Sequence, residues 1–108
     1  MANFEIINGS QANWEPEELY EMILSRDIDT FKNHIDETFT VQKWLIYRDN
    51  DAEVEILSIK TDKGVISGNS RTIMEDLQNI WDIFGEGVAI TIKSNVSKNG
   101  RNFCYLVH

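Results

Sequence analysis

From residue 39 onward the chain alternates apolar and polar positions in short runs, the period-two signature of strands with one buried face. Residues 40–48 are rich in β-branched and aromatic side chains and end in a polar turn over 48–51, which predicts a first strand. Over residues 53–61, Val54 and Ile56 alternate with Glu53 and Glu55, then the parity shifts to Leu57 and Ile59. A shift of that kind predicts a bulge in this second strand. Asp62, Lys63 and Gly64 form a tight turn into a third strand over 65–69, interrupted by Gly68.

The period then changes. Ser70 and Thr72 both suit a helix N-cap, Thr72 with Glu75 has capping-box spacing, and Ile73, Leu77, Ile80, Trp81 and Phe84 recur on one helical face. That face predicts a core helix carrying Trp81 and Phe84 inward, closed by Gly85 as a left-handed C-terminal residue. Residues 88–96 return to alternation, and Asn99-Gly100 is a strong hairpin dipeptide before a last strand over 101–107. The order β-β-β-α-β-β predicts an α+β protein that is mainly β, built on a five-stranded, partly open OB-like barrel.

The first 38 residues read differently. Pro16 suits a first helical turn and Leu19, Met22 and Ile23 recur at i, i+3 and i+4, so residues 15–35 are expected to be helical, broken into two pieces near Asp27 to Asp29 and capped near Asn13 or Trp14. This division predicts an acidic, partly helical N-terminal extension over residues 1–38 and a barrel domain over 39–108.

Length and composition narrow the class. One hundred and eight residues with 42% hydrophobic content bury a single core. No apolar run reaches the ~20 residues that span a bilayer, and residues 1–10 lack a signal-peptide pattern. A cytoplasmic location is therefore expected, in the host cell's cytoplasm if the chain is phage-encoded. The single cysteine, Cys104, lies between Phe103 and Tyr105 and reads as a packed side chain.

Enzymatic chemistry is not expected. His34 and His108 are the only histidines and lie far apart in sequence, and no nucleophile motif, phosphate loop, zinc spacing or cofactor fingerprint is present. Asp49, Asp51 and Glu53 lack the remaining parts of a calcium loop and read as a solvated turn.

The net charge of −8 argues against a nucleic-acid partner until its distribution is considered. Residues 1–38 carry nine acids against two bases, whereas residues 39–108 carry nine acids and eight bases, with no acid after Glu86. The C-terminal hairpin is locally basic, with Lys93, Lys98 and Arg101. Arg101, Phe103, Tyr105 and Val107 share one strand face, and Asn102, Cys104, Leu106 and His108 share the other. If the second set faces inward, Phe103 and Tyr105 stand beside cations, an arrangement suited to stacking unpaired bases. If the first set does, they are core aromatics. Trp44 shares parity with Ile46, which places Tyr47 outward, although Leu45 shares parity with Tyr47.

Several strings then resemble a family. Ile59-Lys60-Thr61-Asp62, Gly64, Asn69-Ser70, Ile80-Trp81-Asp82-Ile83-Phe84-Gly85, residues 88–93 and Ser97-Lys98-Asn99-Gly100-Arg101-Asn102-Phe103 resemble small OB-fold single-stranded DNA-binding proteins of phages and conjugative elements of Gram-positive bacteria. The resemblance covers roughly the last two thirds of the chain. It implies that the Ser-Lys-x-Gly-Arg turn and the following strand lie at a DNA groove, giving roles to Lys98, Arg101, Phe103 and Tyr105. The chain departs from that pattern in its few cations and its acidic extension.

Together these readings give Tyr47, Lys60, Lys93, Lys98, Arg101, Phe103 and Tyr105 as candidate nucleic-acid contacts, with no cofactor. Single-stranded DNA is the expected partner, in replication or transfer of a mobile element, and RNA stays open. The extension could lie across the groove or bind a replication protein, and a homodimer is a further open arrangement. The competing reading is an acidic inhibitor or nucleic-acid mimic that occupies a partner's basic groove.

Overall fold

The computed structural model describes residues 3–108. The chain is a mixed α+β protein, mostly strands, whose sheet curls into a half-barrel. Its strands are β1 (Phe4–Gly9), β2 (Asp29–Thr30), β3 (Thr38–Asp49), β4 (Val54–Thr61), β5 (Gly64–Gly68), β6 (Ala89–Val96) and β7 (Asn102–Val107), and its helices are α1 (Pro16–Leu19) and α2 (Arg71–Phe84). Among the described residues seven strands replace the expected five, in the order β2-β5-β4-β3-β6-β7 with β1 joined to β3. The two additional strands both come from the partly helical extension expected over residues 1–38, β2 from within its helical stretch and β1 from before it. All pairings are antiparallel except β2 with β5.

The long strand β3 holds the sheet together. Its start pairs with β6 and its end with β1, while β4 runs along most of its length. The β3–β4 register shifts between Val41 and Lys43, so the bulge falls in β3 at Gln42 and not in β4. An extra residue there bends the strand from one neighbour to the next.

The parity shift in β4 has a different cause: both of its faces are covered. Leu57 and Ile59 point into the main core with Trp44, Ile46, Ile73, Leu77, Ile90 and Ile92. Ile56 points the other way, into a second cluster of Met22, Leu45 and Tyr47 that Phe4, Trp14, Leu19, Ile23 and Val65 flank. Ser58, fully buried between these layers, donates its hydroxyl hydrogen bond to the Met22 carbonyl at 2.6 Å.

The N-terminal helix is much shorter than its apolar spacing suggests. Four residues of α1 pass into one π-helical turn over Tyr20–Leu24, β2 follows, and a 3₁₀ turn spans Phe31–His34. The cap is at Glu15, whose N–H donates to the Glu18 carboxylate at 3.1 Å. A helix continued through 29–30 would forfeit both the β2 pairing with β5 and the burial of Phe31, so tertiary contacts override local propensity. Phe31 approaches the sheet so closely that a Cβ at Gly68 would meet its ring at 2.7 Å, which explains the glycine inside β5.

Helix α2 forms where its stripe predicts. Ser70 is the N-cap, its Oγ accepting from the Ile73 N–H at 3.2 Å, and Thr72 lies in the first turn. Ile73, Met74 and Leu77 are buried, and Trp81 meets Trp44 edge to face. Phe84, expected in the core, is half exposed instead and lies against the His108 ring at 3.9 Å, because the last helical turn runs out to the end of β7. Gly85 has positive φ but an extended ψ, 77° and −162°, a conformation open essentially to glycine alone. Among the described residues no helix is long and apolar enough to cross a membrane.

Candidate nucleic-acid interface

Asn99-Gly100 makes its turn as the dipeptide predicts. Gly100 has φ 76° and donates to the Ser97 carbonyl, Ser97 N–H bonds the Arg101 carbonyl at 2.8 Å, and Ser97 Oγ accepts from Arg101 N–H. This closed turn presents Lys98 and Arg101 to solvent at the hairpin tip.

The register behind the turn sorts the side chains. Asn95 lies opposite Phe103, Lys93 opposite Tyr105 and Thr91 opposite Val107, so these six share one face. Cys104 and Leu106 share the other, packed with Ile92 on the main core. Phe103 is therefore 37% exposed, and its ring lies 5.9 Å from that of Tyr105 at an interplanar angle of 38°. Lys93 crosses to Asp36, Nζ to Oδ1 3.0 Å, at an exposed rim where such a pair holds little energy. The hairpin thus brings together Lys93, Lys98, Arg101, Phe103 and Tyr105.

Tyr47 and Lys60 belong to a different surface. Tyr47 is buried, contrary to the outward placement expected for it: Phe4 meets its ring edge-on at 6.1 Å, and Met22 covers it. Burial, reinforced by Asp49, raises its hydroxyl pKa. The parity shared with Leu45 was the informative signal, since a strand apolar on both sides is a strand covered on both sides. Lys60 Nζ pairs with Glu21 Oε1 at 2.6 Å, and Lys43, directly opposite Lys60 in the β3–β4 register, pairs with Glu18. The outer face of β3 and β4 is occupied by the chain's own acidic segment.

One pH effect follows from that pairing. The hydrogen bond from Lys43, aided by the Glu15 N–H, lowers the Glu18 carboxyl pKa below its ordinary 4.5. A depressed folded-state value contributes stability that is complete above the unfolded value and disappears as pH falls through the folded one. Glu18→Gln is therefore expected to lower the urea midpoint at neutral pH, with the gap to wild type closing below pH 4.5. A gap independent of pH would assign the effect to packing.

The half-barrel leaves a seam. β5 and β7 do not pair, and between them lies a cleft of about 670 Å³ whose lining includes Phe31, Lys32, Asn69, Ser94, Asn102 and Phe103. None of its lining residues is acidic, although the chain carries 18 acids. Neither Lys32 nor Asn69 was among the candidate contacts: a helical assignment placed Lys32 far from the hairpin, and Asn69 figured only in the Asn69-Ser70 string, with no role attached to it. Among the described residues no three His, Cys, Asp or Glu side chains converge as a metal site, and Asp49 Oδ1 accepts from the N–H groups of Asp51 and Ala52.

No protein-family model matches the chain, and no curated protein and no solved structure matches it.

Proposed function

We propose that the chain is a non-enzymatic, sequence-tolerant single-stranded DNA-binding protein on an OB-like half-barrel, acting in replication or transfer of a mobile element. The observation that carries this reading is the outward pair Phe103 and Tyr105, framed by Lys93, Lys98 and Arg101 on one hairpin. Bases stack on the rings, and the cations follow the phosphates. The OB reading draws support from β3 neighbouring both β4 and β6 with α2 between β5 and β6, β1 and β2 being additions to that plan.

Few cations imply weak electrostatics. With two or three neutralised phosphates, the log–log salt slope is about −0.7 for each contact. The competing reading, an acidic inhibitor that mimics nucleic acid, draws on the −8 net charge. Glu18 and Glu21, however, are already engaged by lysines of the same chain, which favours the first reading.

The test is fluorescence anisotropy with a labelled poly-dT oligomer at low and moderate salt. Each stacked base contributes ~1 to 3 kcal/mol, so the Phe103→Ala, Tyr105→Ala double variant is expected to raise Kd by at least about thirtyfold. Equal binding by wild type and variant would overturn the proposal. A poly-U oligomer run beside it distinguishes DNA from RNA preference.

A further inference from the structure

The seam between β5 and β7 has features that a stacking surface does not require. Leu106 N–H donates to Asp76 Oδ2 at 3.0 Å, so it points off the outer edge of β7, away from β6. Strand geometry alternates, and the main-chain N–H and C=O of Cys104 and Asn102 therefore project from that same edge. No strand lies along it among the described residues, since β7 ends the sheet order. Both residues line the cleft, as do Asn69 just after β5, Lys32 and Phe103.

Such an edge suits either an added strand or a compact planar ligand. Its length decides between them. Asp76 already occupies the Leu106 N–H, and the 3₁₀ turn at Phe31–His34 brings Phe31 into the same cleft, so only the edge groups at 102 and 104 remain. Adding a strand draws on a longer run of main-chain groups. A nucleobase needs one or two donor–acceptor pairs on its edge and an apolar or aromatic neighbour for its face.

We infer that the seam is a nucleobase pocket, in which one unstacked base of a bound single strand meets the Cys104 main-chain edge and the Asn69 and Asn102 amides. The absence of acids from the lining, with Lys32 beside it, fits a phosphate-bearing ligand and disfavours a basic peptide. A cleft of about 670 Å³ accommodates a nucleotide unit. This rests on the proposed single-strand binding and adds to it a position where base identity is read.

Cys104, the chain's only cysteine, lines the cleft and reports on it directly. The experiment follows its alkylation by iodoacetamide through intact mass, in the full chain, with and without a poly-dT oligomer whose binding is measured in parallel by anisotropy. Reactivity is expected to fall in proportion to the bound fraction. Binding with unchanged alkylation would overturn the pocket and leave the hairpin reading standing, whereas no binding at all would overturn both. A thiol protected equally without oligomer in a dimer on size exclusion would assign the edge to a second copy and overturn the pocket.

A second measurement decides the matter should the free thiol prove unreactive. The Asn69→Ala, Asn102→Ala variant is expected to shift the relative affinities for dT, dC and dA oligomers by about tenfold, the scale of a base-edge contact. Uniform affinities in both proteins would overturn the pocket.

Discussion

A chain cut to residues 39–108 is expected to lose its cooperative unfolding transition. The cut falls where composition changes from acidic to mixed, yet it removes Phe31 and Met22 from the two cores and uncovers Leu45 and Tyr47. At ~1.5 to 3 kcal/mol for each fully buried side chain, four such losses come to roughly 6 to 12 kcal/mol. Whole domains are stable by only about 5 to 15 kcal/mol. Urea unfolding followed by tryptophan fluorescence and by circular dichroism provides the check. Coincident sigmoidal transitions in the truncated chain would make the first 38 residues an appendage and the barrel self-sufficient.

Met22→Ala is the point substitution with the largest expected cost. Its side chain is 1% exposed at the centre of the second cluster, and its carbonyl accepts the hydrogen bond of the buried Ser58 hydroxyl. Truncating a buried methionine in a site that cannot collapse destabilises by about 2 to 5 kcal/mol. The urea midpoint should fall with the slope unchanged. Leu24→Ala, two residues on and half exposed, serves as the comparison and should stay within about 0.5 kcal/mol of wild type. Indistinguishable midpoints for the two variants would mean that the N-terminal segment packs without contributing to stability.

Much of the C-terminal half was readable because its signals are local. The Ser70 cap, the Ile73–Leu77–Ile80 stripe and Asn99-Gly100 each specify geometry within a few residues, whereas alternation alone left both faces of the last strand open, Phe103, Tyr105 and Val107 being as apolar as Cys104 and Leu106, and packing on the main core decides between them. The hairpin half of the candidate interface came with them. Tyr47 and Lys60 did not, because their surroundings are set by residues some 40 positions earlier.

The N-terminal segment was misjudged for a related reason. Leu19, Met22 and Ile23 do mark a buried stripe, but the length of the helix beneath it is decided by the pairing of Asp29–Thr30 with β5 and by the seat that Gly68 leaves for Phe31. The run Trp44-Leu45-Ile46-Tyr47 held the missing information. Four consecutive apolar residues in a strand require a layer on each side, and only the first 38 residues could supply the second.

The pairing of β1 with β3 also bears on how the molecule assembles. Hairpins β3–β4, β4–β5 and β6–β7 close short loops, whereas β1 meets a strand about 40 residues downstream and β2 meets β5 at a similar separation. Closing long loops costs more entropy and is slower than closing short ones. On a ribosome the acidic segment emerges ahead of every strand it will rest on. Its carboxylates keep that waiting stretch hydrated, and Leu19 and Met22 find cover only after the meander behind them has formed.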